Sequence, residues 1–167
     1  VDAAITYATS PPPAMHMRAL KPERWVCIAR KGHPELKSEL TSELLRRLAL
    51  VKVRPNMPPY TTVLDRALAS KNIAVKVGVL VPDYKLVPEV VSNTDMIAIV
   101  PEQVMVLSRF RDELQGVPVS LPMPTLRVSI VWHERTHSDP AQQWFRALLR
   151  DVLESVPRAL PEPSTST

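Results

Sequence analysis

The sequence predicts an α/β fold, and three observations carry that reading. Short runs of β-forming residues alternate with helix-period patterns through most of the chain, the signature of a parallel or mixed sheet covered by helices. Several of the runs are continuously apolar, as strands buried on both faces are. Between them sit turn residues, with 18 prolines punctuating the connections. Strands are expected over 3–6, 25–30, 49–53, 75–81, 96–100, 117–121 and 126–132. Helices are expected over 42–48, 60–71, 84–92, 102–110 and 140–156. The helix from Tyr60 places Tyr60, Val63, Leu64, Ala67 and Leu68 on its inner face and Asp65, Arg66 and Lys71 toward water. The last helix has Asp139 as N-cap and Pro140 at the first helical position. Its apolar stripe is Trp144, Phe145, Leu148, Leu149, Val152, Leu153 and Val156, opposite Gln143, Arg146, Arg150 and Glu154. Residues 157–167 have no apolar period and are expected to be a disordered tail.

Composition removes several classes of function. The 167 residues carry 21 Lys+Arg against 17 Asp+Glu, a net charge of +4, and 45% are hydrophobic, so the chain has the apolar content for a core. The longest apolar stretch, 96–101, is far short of the roughly 20 residues of a membrane helix. The three glycines, Gly32, Gly78 and Gly116, are too scattered to write a Walker loop or a dinucleotide fingerprint. The basic residues are dispersed and lack the blocks with interleaved aromatics of nucleic-acid surfaces, so this chain is not expected to read DNA by itself. One cysteine excludes an internal disulfide framework and fits a reducing compartment. The opening Val1-Asp2-Ala3-Ala4-Ile5 reads as the middle of a strand, and the chain is expected to be a piece of a longer protein.

No constellation of residues supports catalysis. His133 and His137 are four apart, a spacing that holds zinc on a helix, but they fall in a turn between a strand and the Asp139 cap. Cys27 lies mid-strand, where an inert buried thiol is expected. Asp83, Asp95 and Asp139 read as caps or turn-formers, and no nucleophile elbow is present. What remains are polar residues read as flanking helix starts beside strand ends: Thr61 and Thr62, Asp83, and Ser92-Asn93-Thr94. In an open α/β sheet such an edge binds small polar ligands. No metal and no cofactor is expected.

The ordered blocks Arg24-Trp25-Val26-Cys27-Ile28-Ala29-Arg30-Lys31-Gly32-His33-Pro34, Val81-Pro82-Asp83-Tyr84, Ser92-Asn93-Thr94-Asp95-Met96, Val131-Trp132-His133 and Asp139-Pro140-Ala141-Gln142-Gln143-Trp144-Phe145-Arg146 resemble the effector-binding domain of LysR-type transcriptional regulators. The similarity is greatest to the branch that answers flavonoids and aromatic degradation intermediates, and it covers the chain to about Val156. The resemblance implies a type 2 periplasmic-binding-protein-like fold of two lobes joined by two crossover strands, near 20–24 and 129–132, with a small-molecule cleft between them. Lobe I would comprise 1–24 plus 129–156, lacking its opening strand and helix, and lobe II 25–128. The winged helix-turn-helix that contacts DNA is absent from this chain, so DNA is a partner only through that missing domain. By position, effector contacts are implied at Thr61, Thr62 and Asp83, with Asn93 and Thr94 nearby and Tyr7 in the loop 6–9. The Asp83 carboxylate disfavours an anionic ligand unless Arg54 or another cation offsets it, which points to a largely neutral planar aromatic or heteroaromatic effector. The resemblance further implies a cytoplasmic homodimer or homotetramer that contacts no membrane and has no enzymatic activity, pairing near Val63, Leu68, Lys71 and Val77. Two alternatives use the same scaffold. A periplasmic solute-binding protein would have a signal sequence upstream, and a deaminase-like enzyme would need Cys27 to react.

Overall fold

A computed structural model describes residues 2–7, 10–11, 13–54, 62–158 and 160. In chain order the elements are β1 (Ala4–Thr6), β2 (Met15–Ala19), β3 (Trp25–Arg30), α1 (Ser42–Arg47), β4 (Ala49–Val53), α2 (Val63–Ser70) and β5 (Lys76–Val81). They continue as α3 (Val87–Ser92), β6 (Ala98–Pro101), α4 (Glu102–Val106), β7 (Leu114–Pro118), β8 (Ser129–His133) and α5 (Pro140–Ser155). The chain divides into two compact units, the first holding residues up to Arg24 and Thr125–Pro157, the second Trp25–Pro124 and the chain from Arg158. The tail expected over 157–167 lies outside the described residues except for Pro157, Arg158 and Leu160.

The second unit is built on one mixed sheet. β3 pairs antiparallel with β6 (Cys27↔Ile99) and with β7 (Cys27↔Val117), while β4 and β5 pair in parallel. A parallel bridge between Leu50 and Ile97 joins the two groups, with Val51 N–H donating to the Ile97 carbonyl at 2.8 Å and Ile97 N–H to that of Ala49 at 3.0 Å. The resulting order is β5-β4-β6-β3-β7. Side chains alternate across β3, as strand geometry requires. Cys27 and Ala29 face a core with Leu45 of α1 and Leu64 and Leu68 of α2, whereas Val26 and Ile28 face one with Val87 and Val91 of α3. Thr41 caps α1 by accepting from Leu44 N–H at 3.3 Å.

The first unit is a three-stranded antiparallel sheet of order β1-β8-β2. β2 is not among the expected strands: Met15-His16-Met17-Arg18-Ala19 alternates apolar and polar residues but is short and holds no β-branched residue, and pairing with β8 from Met15↔His133 to Ala19↔Ser129 holds it extended. The segments leading into and out of the second unit pair with each other through Leu20 N–H to the Val128 carbonyl at 2.9 Å and a Glu23–Leu126 bridge. The crossover expected near 129–132 is instead the central strand β8, and the chain changes units between Pro124 and Thr125.

Three other boundaries moved. β7 begins at Leu114, three residues before the strand expected there, because hydrogen bonding to β3 carries the weak strand formers Gln115 and Gly116. The helix expected over 84–92 opens as a 3₁₀ turn at Tyr84–Leu86. The helix expected over 102–110 stops at Val106, where the Ser108 hydroxyl accepts from Phe110 N–H at 3.0 Å and offers the backbone an alternative.

The face that α5 buries is also displaced from the expected stripe. Leu149 and Leu153 pack on Leu20, Ile130 and Trp132, but Trp144 (67% exposed), Leu148 (43%), Val152 (55%) and Phe145 (39%) face outward. Arg146, expected in water, is buried: its guanidinium lies 4.6 Å from the Trp132 ring centre and donates to the carbonyls of Thr136 (3.2 Å) and His137 (2.9 Å).

The Leu50–Ile97 junction should govern stability. Leu50→Ala or Ile97→Ala should each cost about 2–5 kcal/mol in denaturant unfolding, whereas exposed Leu107→Ala should stay within about 0.5 kcal/mol.

Candidate functional site

Strand direction decides which polar residues share an edge. β4 and β5 are parallel, and the Leu50–Ile97 bridge gives β6 the same sense. Val53, Val81 and Pro101 therefore end at one edge of the sheet, the carboxyl edge. Asp83 follows β5 there directly, and its Oδ1 accepts from Lys85 N–H at 2.7 Å as it caps the 3₁₀ turn. Arg54 follows β4, its N–H donating to the Val81 carbonyl at 2.8 Å. Thr62 opens α2 with a reciprocal capping box: Asp65 N–H donates to Thr62 Oγ1 at 3.0 Å and Thr62 N–H donates to Asp65 Oδ2 at 3.1 Å. The Thr62 hydroxyl itself donates to Asp65 Oδ2 at 2.8 Å.

Asp65 forms an ion pair with Lys52 of β4, both side chains being mostly buried. Burial works against the Asp65 charge, but the Lys52 ammonium and the Thr62 donors outweigh it and hold the carboxyl below its ordinary value. Burial, then the charge of Asp65, pushes the Tyr84 phenol up, so it remains a protonated donor at neutral pH. The edge thus combines a capped helix start, a phenol, an internally neutralised Lys52–Asp65 pair and the exposed carboxylate of Asp83. Lys52 and the role of Asp65 were missed in the sequence, where Asp65 was expected to face water. The Thr62-x-x-Asp65 spacing carried the signal.

Two expected site residues lie elsewhere. Asn93 and Thr94 follow the carboxyl end of α3 and precede β6, so they flank a helix end and the opposite edge of the sheet. Their side chains serve the local turn: Asn93 Nδ2 donates to the Glu89 carbonyl at 2.9 Å, and the Thr94 hydroxyl donates to that of Val90 at 2.8 Å. Thr61 lies outside the described residues. Tyr7 belongs to the first unit, half exposed, with its hydroxyl 3.4 Å from Glu23 Oε2.

Of the residues expected to pair chains, Leu68 is buried in the core of the second unit and presents no surface, because its helix position points at β3. Val63 is partly buried, and Val77 and Lys71 are exposed. Cys27 is fully buried and its thiol is pushed up by burial, an unreactive state. His133 caps a turn by accepting from Arg135 N–H at 3.1 Å, and His137 Nδ1 accepts from Trp132 Nε1–H at 3.3 Å while its ring stacks 3.9 Å from that of His16. Among the described residues no group of three or more metal-ligating side chains converges, and no helix is long and apolar enough to cross a membrane.

The family model of the LysR substrate binding domain matches residues 1–154, and the chain belongs to that family. The HTH-type transcriptional regulator SyrM of Rhizobium etli is 26% identical over 93% of this chain and 46% of its own length. The HTH-type transcriptional activator NagR of a Ralstonia species is 27% identical over 91% of this chain and 50% of its own. The chain therefore spans about half the length of the curated relatives it matches, and these are transcription regulators, not enzymes. Among solved structures, a probable transcriptional regulator of Pseudomonas aeruginosa superposes with a TM-score of 0.77 at 24% identity, over 90% of this chain and 49% of that one. The effector binding domain of QuiR, solved in complex with shikimate, gives 0.68 at 17% identity, over 90% and 71%. The fold is the periplasmic-binding-protein-like one of LysR regulatory domains.

Asp65 holds a cap and an ion pair at once, so Asp65→Asn should lower stability by about 1–3 kcal/mol at neutral pH. Because its folded pKa is depressed, that contribution is present above the ordinary 3.8 and lost as pH falls through the lower folded value. The difference between wild type and variant, read by urea unfolding, should shrink once pH drops below that range.

Proposed function

We propose that this domain is the sensor of a transcription factor: it binds a small planar, largely neutral aromatic or heteroaromatic molecule and passes a conformational change to DNA-binding domains outside this chain. The observation that carries the reading is the carboxyl edge of β4 and β5, where Tyr84 and the exposed Asp83 offer polar groups beside the Thr62-capped start of α2, while Lys52 and Asp65 cancel each other's charge. A cation left unpaired there would favour a carboxylate ligand; the exposed Asp83 repels one unless a cation such as Arg54 or Lys85 offsets it. One neighbour of the fold is described in complex with shikimate, which supports a small ring-shaped ligand for folds of this kind. Tyr7 of the first unit is proposed as a further contact. The activity is regulatory, with no catalytic step, and the site of action is the cytoplasm.

Chains are proposed to pair through α2 and the outer strand β5, using Val77 and Lys71, beside which Leu80 is 52% exposed. A self-associating edge with these residues suits the homodimer or homotetramer that the family resemblance implies.

A thermal-shift panel tests the ligand class. A ligand at 100 times its Kd adds about 2.7 kcal/mol to the folded state, so neutral planar aromatics should raise Tm more than salicylate-like acids. Asp83→Asn, which retains an acceptor for Lys85 N–H, should narrow that gap. Tighter binding of the acids to the unaltered protein would sink the proposed class. For pairing, Val77→Asp should shift sedimentation toward the smaller species with Tm little changed, and unaltered sedimentation would remove β5 from the interface.

A further inference from the structure

The first unit gathers three aromatic rings where β2, β8 and the 3₁₀ turn Glu134–Thr136 meet. His16 of β2 stands directly across from Trp132 of β8, so the two rings share a face of the sheet. Trp132 Nε1–H donates to His137 Nδ1 at 3.3 Å and the two ring planes differ by 1°, so indole and imidazole lie side by side as one flat surface. The His16 ring covers that surface, its centre 3.9 Å from that of His137 and 5.7 Å from that of Trp132. Its Nε2 meets the Glu134 carboxylate. The backbone repeats the tie, Glu134 N–H donating to the Ala14 carbonyl at 2.9 Å. Ala14 itself holds φ at 59°, a left-handed conformation that is unfavourable for a residue with a Cβ and lasts only while its surroundings hold it.

Histidine is the side chain whose charge changes between about pH 5 and 8. The stack accommodates one such charge, at His16, because Glu134 balances it. A second is incompatible with the geometry. His137 Nδ1 is an acceptor, so a proton added there turns it into a donor and breaks the bond from Trp132. The new cation would face the His16 ring at 3.9 Å and the Arg146 guanidinium, which donates to the His137 carbonyl at 2.9 Å and lies 4.6 Å from the Trp132 ring centre. Of the other charged and titratable groups on the elements around the stack, Arg18 of β2 and Arg135 of the turn add positive charge. Asp151 balances Arg150 of α5 at 2.6 Å, Asp139 caps α5 by accepting from Gln142 N–H at 2.9 Å, and His133 of β8 accepts from Arg135 N–H at 3.1 Å. We propose that His16, His137 and Trp132 form a pH-sensitive latch within the first unit: mild acid opens it and frees the turn before α5 from the start of β2, while the sheet stays folded.

Hydrogen exchange in the whole protein, corrected for the intrinsic effect of pH, reads the latch at two backbone amides: Glu134 N–H, bonded to Ala14, and His137 N–H, bonded to the Glu134 carbonyl. Both should exchange about ten-fold faster at about pH 5.5 than at about pH 7.5, while the Ile130 and Val131 amides of β8 keep their rates. His137→Asn keeps an acceptor for the indole but cannot take up the charge, so it should remove the step and leave the two rates within about two-fold. His16→Phe, at a partly exposed position, keeps a ring in the stack without its charge and should cut the step to about three-fold or less. His133→Asn, which retains an acceptor for Arg135 N–H, should leave the step whole. Equal rates at the two pH values in the unaltered protein, or a full step in His137→Asn, would overturn the latch. So would a step that vanishes in His133→Asn, or one that the Ile130 and Val131 amides share.

Discussion

Val26, Cys27, Ile28 and Ala29 have zero exposure, and the second unit is organised around that fact. A strand hydrogen-bonded on both sides and covered on both faces has no water to satisfy a polar group, so every side chain must be apolar and every backbone group must pair. β6 and β7 supply the pairing. α1 and α2 cover the face of Cys27 and Ala29, and α3 covers that of Val26 and Ile28. Because β3 runs antiparallel to its neighbours, the chain enters the unit at the edge where β6 ends, and this brings Trp25 beside Pro101. The location of the candidate site follows from that arrangement, since the carboxyl edge is also where the helix after β4 and the turn after β5 begin.

At that edge one carboxylate does two jobs. Asp65 completes the capping box of α2 and balances the charge of Lys52 on β4. The cap alone is a common helix start; the ion pair ties the helix to the sheet and removes a cation from a place where a ligand's acidic group would otherwise be attracted. Tyr84, raised by burial and then by the same carboxylate, stays a neutral hydrogen-bond donor. The helix cap and the charge of the edge are therefore not separable here. Any change at Asp65 alters the helix start, the charge of the edge and the phenol together.

The strands that were legible in the sequence are the ones whose own residues dictate them. β3 and β4 fall over 25–30 and 49–53 as expected, because apolar runs bounded by turn residues leave few alternatives. β2 and the first half of β7 were not legible: Met15-His16-Met17-Arg18 and Gln115-Gly116 are extended because a partner strand is there, and the partner is remote in sequence. The same distinction divides the site. Thr62 and Asp83 are helix and turn starts that local spacing identifies. Asn93 and Thr94 look alike in sequence, but strand direction, which a short run does not encode, puts them at the opposite edge. The Lys52–Asp65 pair joins two elements 13 positions apart, and only the packing of α2 on β4 reveals it.

The rotation of α5 shows the limit of helical periodicity as a guide to burial. The period identifies a helix over 140–156 correctly and an apolar stripe on it, but the face that packs is chosen by what the sheet and its neighbouring turn require. The carbonyls of Thr136 and His137 at the end of the 3₁₀ turn Glu134–Thr136 need donors, and Trp132 presents the face of its ring. An arginine meets both demands: its fork donates to the two carbonyls while its plane lies over the indole, a cation–π contact worth about 0.5–2 kcal/mol. An aliphatic side chain at 146 would remove the Arg146 donor from the Thr136 carbonyl and leave that of His137 to Gln143 Nε2 at 3.2 Å, losing two charge-assisted hydrogen bonds along with the stack on Trp132. The seam therefore runs Arg146, Leu149, Leu153, and Trp144, Leu148 and Val152 are turned outward by geometry, since residues four apart on one helix cannot be moved independently of the rest.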